Sequence, residues 1–299
     1  MTEFTRVRVA VPREGIVNAM TVDVEDYFQV SAFERHIERS HWSSLPARVE
    51  QNVERILALF DEHGVKATFF TLGWVAERWP QLIRRIVGAG HELASHGFEH
   101  CRVTQQTADE FRADVERTKK LLEDISGHPV LGYRAASYSI GADNLWALGV
   151  LADLGHAYSS SIYPVRHDLY GMPEAPRFAF RLPQADILEV PVTTCRAAGR
   201  AWPCGGGGFF RLYPYALSRW ALQQVNGKDR QPGVFYFHPW EIDPNQPRVQ
   251  RLNLKTRVRH YLNLGRMEAR IGRLLQDFSW NRMDHVFASA LGGEADIGR

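Results

Sequence analysis

The sequence predicts an α/β protein of the (β/α) barrel kind, distorted in its second half, and three observations lead there. Apolar strand-like segments alternate four times with amphipathic helical ones. The residues able to do chemistry, among them Asp23, His96, Arg134 and His238, fall at the ends of those strands. With 299 residues, 44% of them apolar and 23% charged, the chain can bury one large core. An open doubly wound sheet would satisfy the same alternation, but a barrel better suits so many side chains converging on one edge.

Taken in order, residues 18–30 begin as a buried strand and run into acidic residues, Asp23, Glu25 and Asp26. Val49, Val53, Ile56, Leu57 and Phe60 then share one helical face, closed by Gly64 in the capping position. Residues 66–72 read as a strand, 81–87 as a helix with Leu82, Ile83 and Ile86 inward, and 91–96 as a second short strand. Thr107 and Glu110 have capping-box spacing ahead of a helix that buries Phe111, Val115, Leu122 and Ile125. Residues 130–135 supply a strand, 144–154 a helix, and 156–160 another strand. Pro164, Pro173, Pro176 and Pro183 then mark a long irregular connection before strand character resumes at 186–192. A strand at 233–238 and one long helix over 254–278 complete the reading.

Composition narrows the function. A net charge of +2, with basic residues scattered except around 248–273, offers no nucleic-acid footprint. Three cysteines, Cys101, Cys195 and Cys204, form neither a disulfide framework nor a CxxC metal site. The first residues lack the apolar run of a signal peptide and no later stretch is long enough to span a bilayer, so the expectation is a cytoplasmic protein. Residues 1–19 read as an extension without a catalytic role, and 20–299 as a single domain whose part from about 160 is distinctive.

Four segments carry the chemistry. In Ser95-His96-Gly97-Phe98-Glu99-His100, two imidazoles four residues apart flank a strand-to-loop transition and can converge on one cation. A zincin helix is ruled out, because His96 follows His91-Glu92 at the wrong spacing and Gly97 disfavours a helix. The second segment is Thr21-Val22-Asp23-Val24-Glu25-Asp26. Period-two geometry puts Asp23 and Glu25 on one side if the strand persists, whereas a turn after Val24 favours Asp26. The third is Gly132-Tyr133-Arg134-Ala135-Ala136-Ser137-Tyr138, and the fourth a buried strand ending in His238-Pro239-Trp240.

In this order, the four segments resemble the motifs of the NodB-type polysaccharide deacetylases (carbohydrate esterase family 4). Asp23-Val-Glu-Asp-Tyr-Phe-Gln-Val and Trp202-Pro-Cys-Gly-Gly-Gly-Gly-Phe-Phe-Arg-Leu-Tyr-Pro are similar to stretches of the exosortase (PEP-CTERM) associated members. The resemblance implies that Asp23 is general base, His238 general acid, and Arg134 the residue orienting Asp23. It further implies a metal held by Asp26, with Glu25 as rival, together with His96 and His100. Ala136 stands where the family has a proline, which bears on the loop and not on Arg134. Ser137, Tyr138 and Trp240 are the expected substrate contacts, with Phe209, Phe210 and Tyr213 as further sugar platforms across the Gly205 to Gly208 loop. Asp186 or Glu189 is placed to orient His238.

The expected cofactor is a divalent metal, zinc by preference for two imidazoles and a carboxylate, with cobalt, nickel or iron acceptable to the same set. The implied reaction is hydrolysis of an N-acetyl group on an amino sugar of an exopolysaccharide, capsule or lipopolysaccharide precursor. The expected partner is therefore an N-acetylated sugar or polysaccharide, with peripheral contact to a lipid-linked substrate. Another amide hydrolase acting on a ureide or on peptidoglycan, and a carbohydrate-binding relative without turnover, are the alternatives.

Overall fold

The computed structural model describes residues 4–7, 9, 15–167, 170–183, 185–197 and 199–292. Its strands are β1 (Thr5–Arg6), β2 (Val17–Val24), β3 (Thr68–Thr71), β4 (Glu92–Ser95), β5 (Gly132–Tyr133), β6 (Tyr158–Ser159), β7 (Phe180–Leu182), β8 (Ala185–Glu189), β9 (Thr194–Ala197), β10 (Arg200–Pro203), β11 (Val234–Phe237) and β12 (Ser279–Asn281). The α-helices are α1 (Val49–Glu62), α2 (Gly73–Arg78), α3 (Pro80–Gly88), α4 (Ala108–Ser126), α5 (Trp146–Asp153), α6 (Gly207–Leu212), α7 (Tyr215–Gln224), α8 (Leu254–Tyr261), α9 (Leu264–Asp277), α10 (Met283–Val286) and α11 (Ala288–Leu291). No helix among the described residues is long and apolar enough to cross a membrane.

The main sheet runs β1-β7-β8-β6-β5-β4-β3-β2-β11, with β12 also on β2. Every pairing from β11 through β2 to β6 and β8 is parallel, and only β7 and β1 run antiparallel. The circuit is completed without a full strand. Thr193 donates to the Val234 carbonyl at 3.4 Å, Tyr236 donates to Gly205 at 2.8 Å, and Gly206 bridges Tyr236 in parallel. The result is the distorted (β/α) barrel that the alternating pattern implies. The central strands β3, β4 and β11 are buried on both faces, which is why β3 and β11 read as continuous apolar or small-residue runs.

Local rules account for the helices. Thr107 and Glu110 form the capping box of α4, and Gly127 ends that helix at φ 71°. The helix expected over 254–278 is instead two, because Leu262 leaves helical geometry and Asn263 adopts φ 56° between α8 and α9. Gly207 and Gly208, expected in a loop, open α6, and a Cβ on Gly207 would strike the Glu241 carboxylate. The stretch 1–19 also differs from a free extension. Thr5 and Arg6 pair with Arg181 and Phe180 in β7, and Val17 begins β2, while residues 1–3, 8 and 10–14 lie outside the described residues.

At the N-terminal edge of the sheet, Glu92 accepts from Thr68 Oγ1 at 2.5 Å, Tyr158 Oη at 2.7 Å and the Asp284 amide at 3.2 Å. Burial, reinforced by Asp284, pushes its carboxyl up to about 7 despite those donors. A folded pKa above the unfolded one means that the folded state holds a proton the unfolded state has released. Stability from this group is therefore full below the ordinary carboxylate range and is lost as pH rises to about 7. Glu92→Gln is expected to remove most of that pH dependence. Denaturant midpoints of both proteins from pH 4 to 8 check this, and parallel curves would refute it.

Candidate active site

Asp23, Glu25, His96, Arg134 and His238 meet at the C-terminal edge of the parallel strands, because β2, β4, β5 and β11 end at Val24, Ser95, Tyr133 and Phe237. His100 joins them from the loop after β4. Glu25, His96 and His100 each offer one ligand atom, and these atoms lie within 4.8 Å of one another. All three side chains are buried.

The sequence left Glu25 and Asp26 as rival ligands, and the geometry separates them. The strand does end at Val24, as the Asp26 alternative required, yet Glu25 still faces the histidines, its amide donating to the Asp23 carbonyl at 3.0 Å. Asp26 is drawn the other way. Its carboxylate accepts from the amides of Tyr27 at 2.8 Å, Arg48 at 2.6 Å and Val49 at 2.9 Å, so it caps the start of α1 and is not a member of the cluster. Burial raises the Asp26 carboxyl to about 6 even though those amides and Arg48 oppose the rise.

The histidine loop is held from several sides. His96 Nδ1 lies 2.7 Å from the Arg134 carbonyl; as donor to that oxygen, Nδ1 carries the proton and leaves Nε2 with a lone pair for a ligand. Gly97 sits at φ 74°, a conformation other residues resist, and its carbonyl accepts from the Gly73 amide at 2.9 Å. Asp114 on α4 receives the Phe98 amide at 3.2 Å, and Arg39 donates to the Glu99 carbonyl at 2.9 Å. His100 itself stands at φ 53°, and Ser137 and Tyr138 at 53° and 52°. Strained backbone thus gathers around this edge. Burial lowers both His96 and His100, which favours neutral, ligating imidazoles.

Arg134 is fully buried and donates to Asp23 Oδ1 at 2.6 Å, Thr21 Oγ1 at 2.8 Å, and Ser160 Oγ and carbonyl at 3.0 and 3.2 Å. With Oδ1 engaged, Asp23 Oδ2 faces His238 Nε2 at 3.9 Å. His238 Nε2 is also 3.4 Å from Glu25 Oε1, and its ring is 19% exposed. Burial alone would lower the His238 pKa, but Glu25, Glu241 and Asp23 outweigh it and raise it to about 9.

Glu241 is the residue the sequence reading missed. Its Oε2 lies 3.4 Å from His238 Nδ1 and accepts from the His238 amide at 3.1 Å, while Arg211 Nε donates to Oε1 at 3.0 Å. Arg211 holds Glu241 down to about 2 against the burial that would raise it. The expected orienters lie elsewhere. Asp186 is fully exposed and pairs with Arg181, and Glu189 is buried, accepting from the Ser161 and Ile162 amides at 2.8 and 2.7 Å. A signal for Glu241 was present in His238-Pro239-Trp240-Glu241, since proline followed two residues on by an acid marks a capped helical turn.

Trp240, expected at the substrate, is buried. Its indole N–H donates to Glu25 Oε1 at 3.2 Å, and its ring stacks on His238 at 5.1 Å and on His260 at 4.2 Å. Ser137 is half-buried with Oγ 2.6 Å from Ser31 Oγ. Tyr138 packs against Tyr163 and Tyr236, its hydroxyl buried without a hydrogen-bond partner. Phe210 belongs to the core, while Phe209 and Tyr213 are half-buried and stand 5.9 Å apart.

The site fits a divalent cation. Glu25 Oε2 is buried, makes no hydrogen bond and lies 3.1 Å from His100 Nε2, which is the arrangement of two ligand atoms awaiting a shared positive charge.

The chain is similar to several known proteins over parts of its length. Residues 42–158 match the polysaccharide deacetylase family model, and 160–288 match a domain of unknown function, DUF3473. Over 74 residues the chain is 35% identical to the peptidoglycan-N-acetylglucosamine deacetylase of Bacillus cereus, covering 25% of this chain and 27% of that protein. Over 125 residues it is 28% identical to the chitooligosaccharide deacetylase of Azorhizobium caulinodans, covering 36% and 59%. The chain thus spans about a quarter of the length of the first of these relatives and less than two thirds of the second. Two solved structures share the fold. One is a Mycobacterium smegmatis protein assigned to the polysaccharide deacetylases, with TM-score 0.64, 21% identity and 99% of both chains covered. The other is the Puue allantoinase, with TM-score 0.61, 15% identity and 95% and 93% covered. His96, His100 and Arg134 lie within the deacetylase match, Asp23 and Glu25 precede it, and His238 and Glu241 lie in the second segment. The chain thus matches the polysaccharide deacetylase model over one segment and DUF3473 over the next, and residues of both segments meet in one site.

Proposed function

We propose that this protein is a metal-dependent hydrolase that removes the N-acetyl group from an amino sugar of a polysaccharide or its precursor. The observation that carries the reading is the convergence of Glu25, His96 and His100 beside Asp23 and His238. The exosortase-like stretches around Asp23 and Trp202 support an exopolysaccharide, capsule or lipopolysaccharide precursor as the substrate class.

Glu25, His96 and His100 would hold the cation, with zinc favoured by their donor chemistry. When bound, it polarises the acetyl carbonyl and lowers the pKa of water. Asp23, oriented through Oδ1 by Arg134, takes the proton of the attacking water on Oδ2. A backbone amide near Ser137 would donate toward the developing oxyanion, the Tyr138 and Ser139 amides being engaged by the Ala135 and Ala136 carbonyls. Glu241 at Nδ1 directs His238 Nε2 inward, where it protonates the departing amine. Water and amide become acetate and a free amino sugar.

Chelated protein is expected to release no acetate from N-acetylated oligosaccharides, and to do so once zinc or cobalt is restored. Stoichiometric metal binding without release from any sugar would instead favour a ureide or other amide substrate, or a binding role.

A further inference from the structure

Residues 244–267 hold six of the chain's 36 basic residues, Arg248, Arg251, Lys255, Arg257, Arg259 and Arg266, and none of its 34 acidic ones. Against a whole-chain charge of +2, the remainder is net negative by four, so the positive charge of this protein is concentrated in one short stretch. The helical period of α8 sets Leu254, Val258 and Tyr261 on one side. Leu254 is 75% exposed and Val258 46%, while His260 on the opposite side is buried against Trp240.

That exposed stripe opens into a cavity of about 590 Å³. Val249, Leu252, Leu254, Val258, Tyr261 and Leu262 line it, and Arg248, Arg251 and Arg257 stand among them. The Arg248 guanidinium lies 4.1 Å from the Tyr261 ring centre, and neither it, Arg251 nor Arg257 forms an ion pair with a described residue. The floor is mainly leucine and valine, with Gln250 and Tyr261 as its uncharged polar lining residues. It matches acyl chains, and guanidinium groups match the phosphates above them.

We propose that this face docks the protein on an anionic phospholipid surface, with the three arginines at the headgroups and Leu254 and Val258 in the acyl boundary. The inference goes beyond the hydrolase reading and does not depend on it. Docking here would set the site beside the membrane, because the ring stack from His260 through Trp240 to His238 joins α8 to the site.

The test is co-sedimentation of the whole protein with vesicles of phosphatidylcholine alone and of an equimolar mixture with phosphatidylglycerol. Binding to the mixture only, weakened by salt, is expected. Combined Arg248→Glu, Arg251→Glu and Arg257→Glu is expected to lower partitioning by about a hundredfold or more. Leu254→Ser with Val258→Ser should keep the low-salt attraction and lose the part that survives salt. Circular dichroism and acetate release from a soluble oligosaccharide should match the parent in both variants, so a failed hydrolase reading would show separately. Equal sedimentation with both vesicle types, none with either, or unchanged binding by the arginine variant would overturn the proposal. So would retention on a polygalacturonate resin without vesicle binding, which would reassign the face to an acidic glycan.

Discussion

Glu25→Ala is expected to abolish stoichiometric metal uptake and to cut acetate release by on the order of a thousandfold or more, since a bound cation supplies several kcal/mol of charge stabilisation. The expectation rests on Glu25 being the carboxylate that shares the cluster with His96 and His100. Asp26→Ala should do the opposite. Its carboxylate serves the amides of Tyr27, Arg48 and Val49, so the variant should retain metal while losing about 1–2 kcal/mol of stability at the start of α1. Elemental analysis of both purified variants, with thermal melts alongside, checks the pair. Metal lost from the Asp26 variant and kept by the Glu25 variant would reverse the assignment.

Asp23→Asn should leave metal content unchanged and lower kcat by about three to four orders of magnitude, the scale of losing a positioned general base. Asn keeps an acceptor for Arg134, so the buried guanidinium is not stranded and the fold should persist. Single-turnover acetate release at saturating substrate separates this loss from weakened binding. Activity within tenfold of the parent would remove Asp23 from the role of base and leave it as a partner of Arg134.

These two expectations draw on different parts of the chain. His96, Arg134 and His238 were legible in the sequence because each follows a strand directly, and the end of a parallel strand is where the backbone delivers a side chain to one edge, while His100 was legible from its four-residue spacing to His96. Period and capping rules likewise anticipated α1, α4 and the strand before His238, since their determinants lie within a few residues of one another.

The choice between Glu25 and Asp26 was not local. It depends on the start of α1, more than twenty residues away, whose unpaired amides take the Asp26 carboxylate, and on an indole N–H from Trp240 that holds Glu25. Trp240 left the expected substrate surface for the same reason, being wedged between His238 and a histidine of α8 that the sequence placed in an unbroken helix. Glu241 acquires its part only through Arg211, and Gly207 only through the closeness of Glu241. The sequence by itself determined the alternating architecture, the edge where chemistry gathers and most of the side chains there, because those follow from periodicity and strand termini. Which carboxylate joins the two histidines, and which one lies against His238 Nδ1, was decided by the tertiary structure, because helix ends, buried arginines and stacked rings compete for each acid across the whole chain.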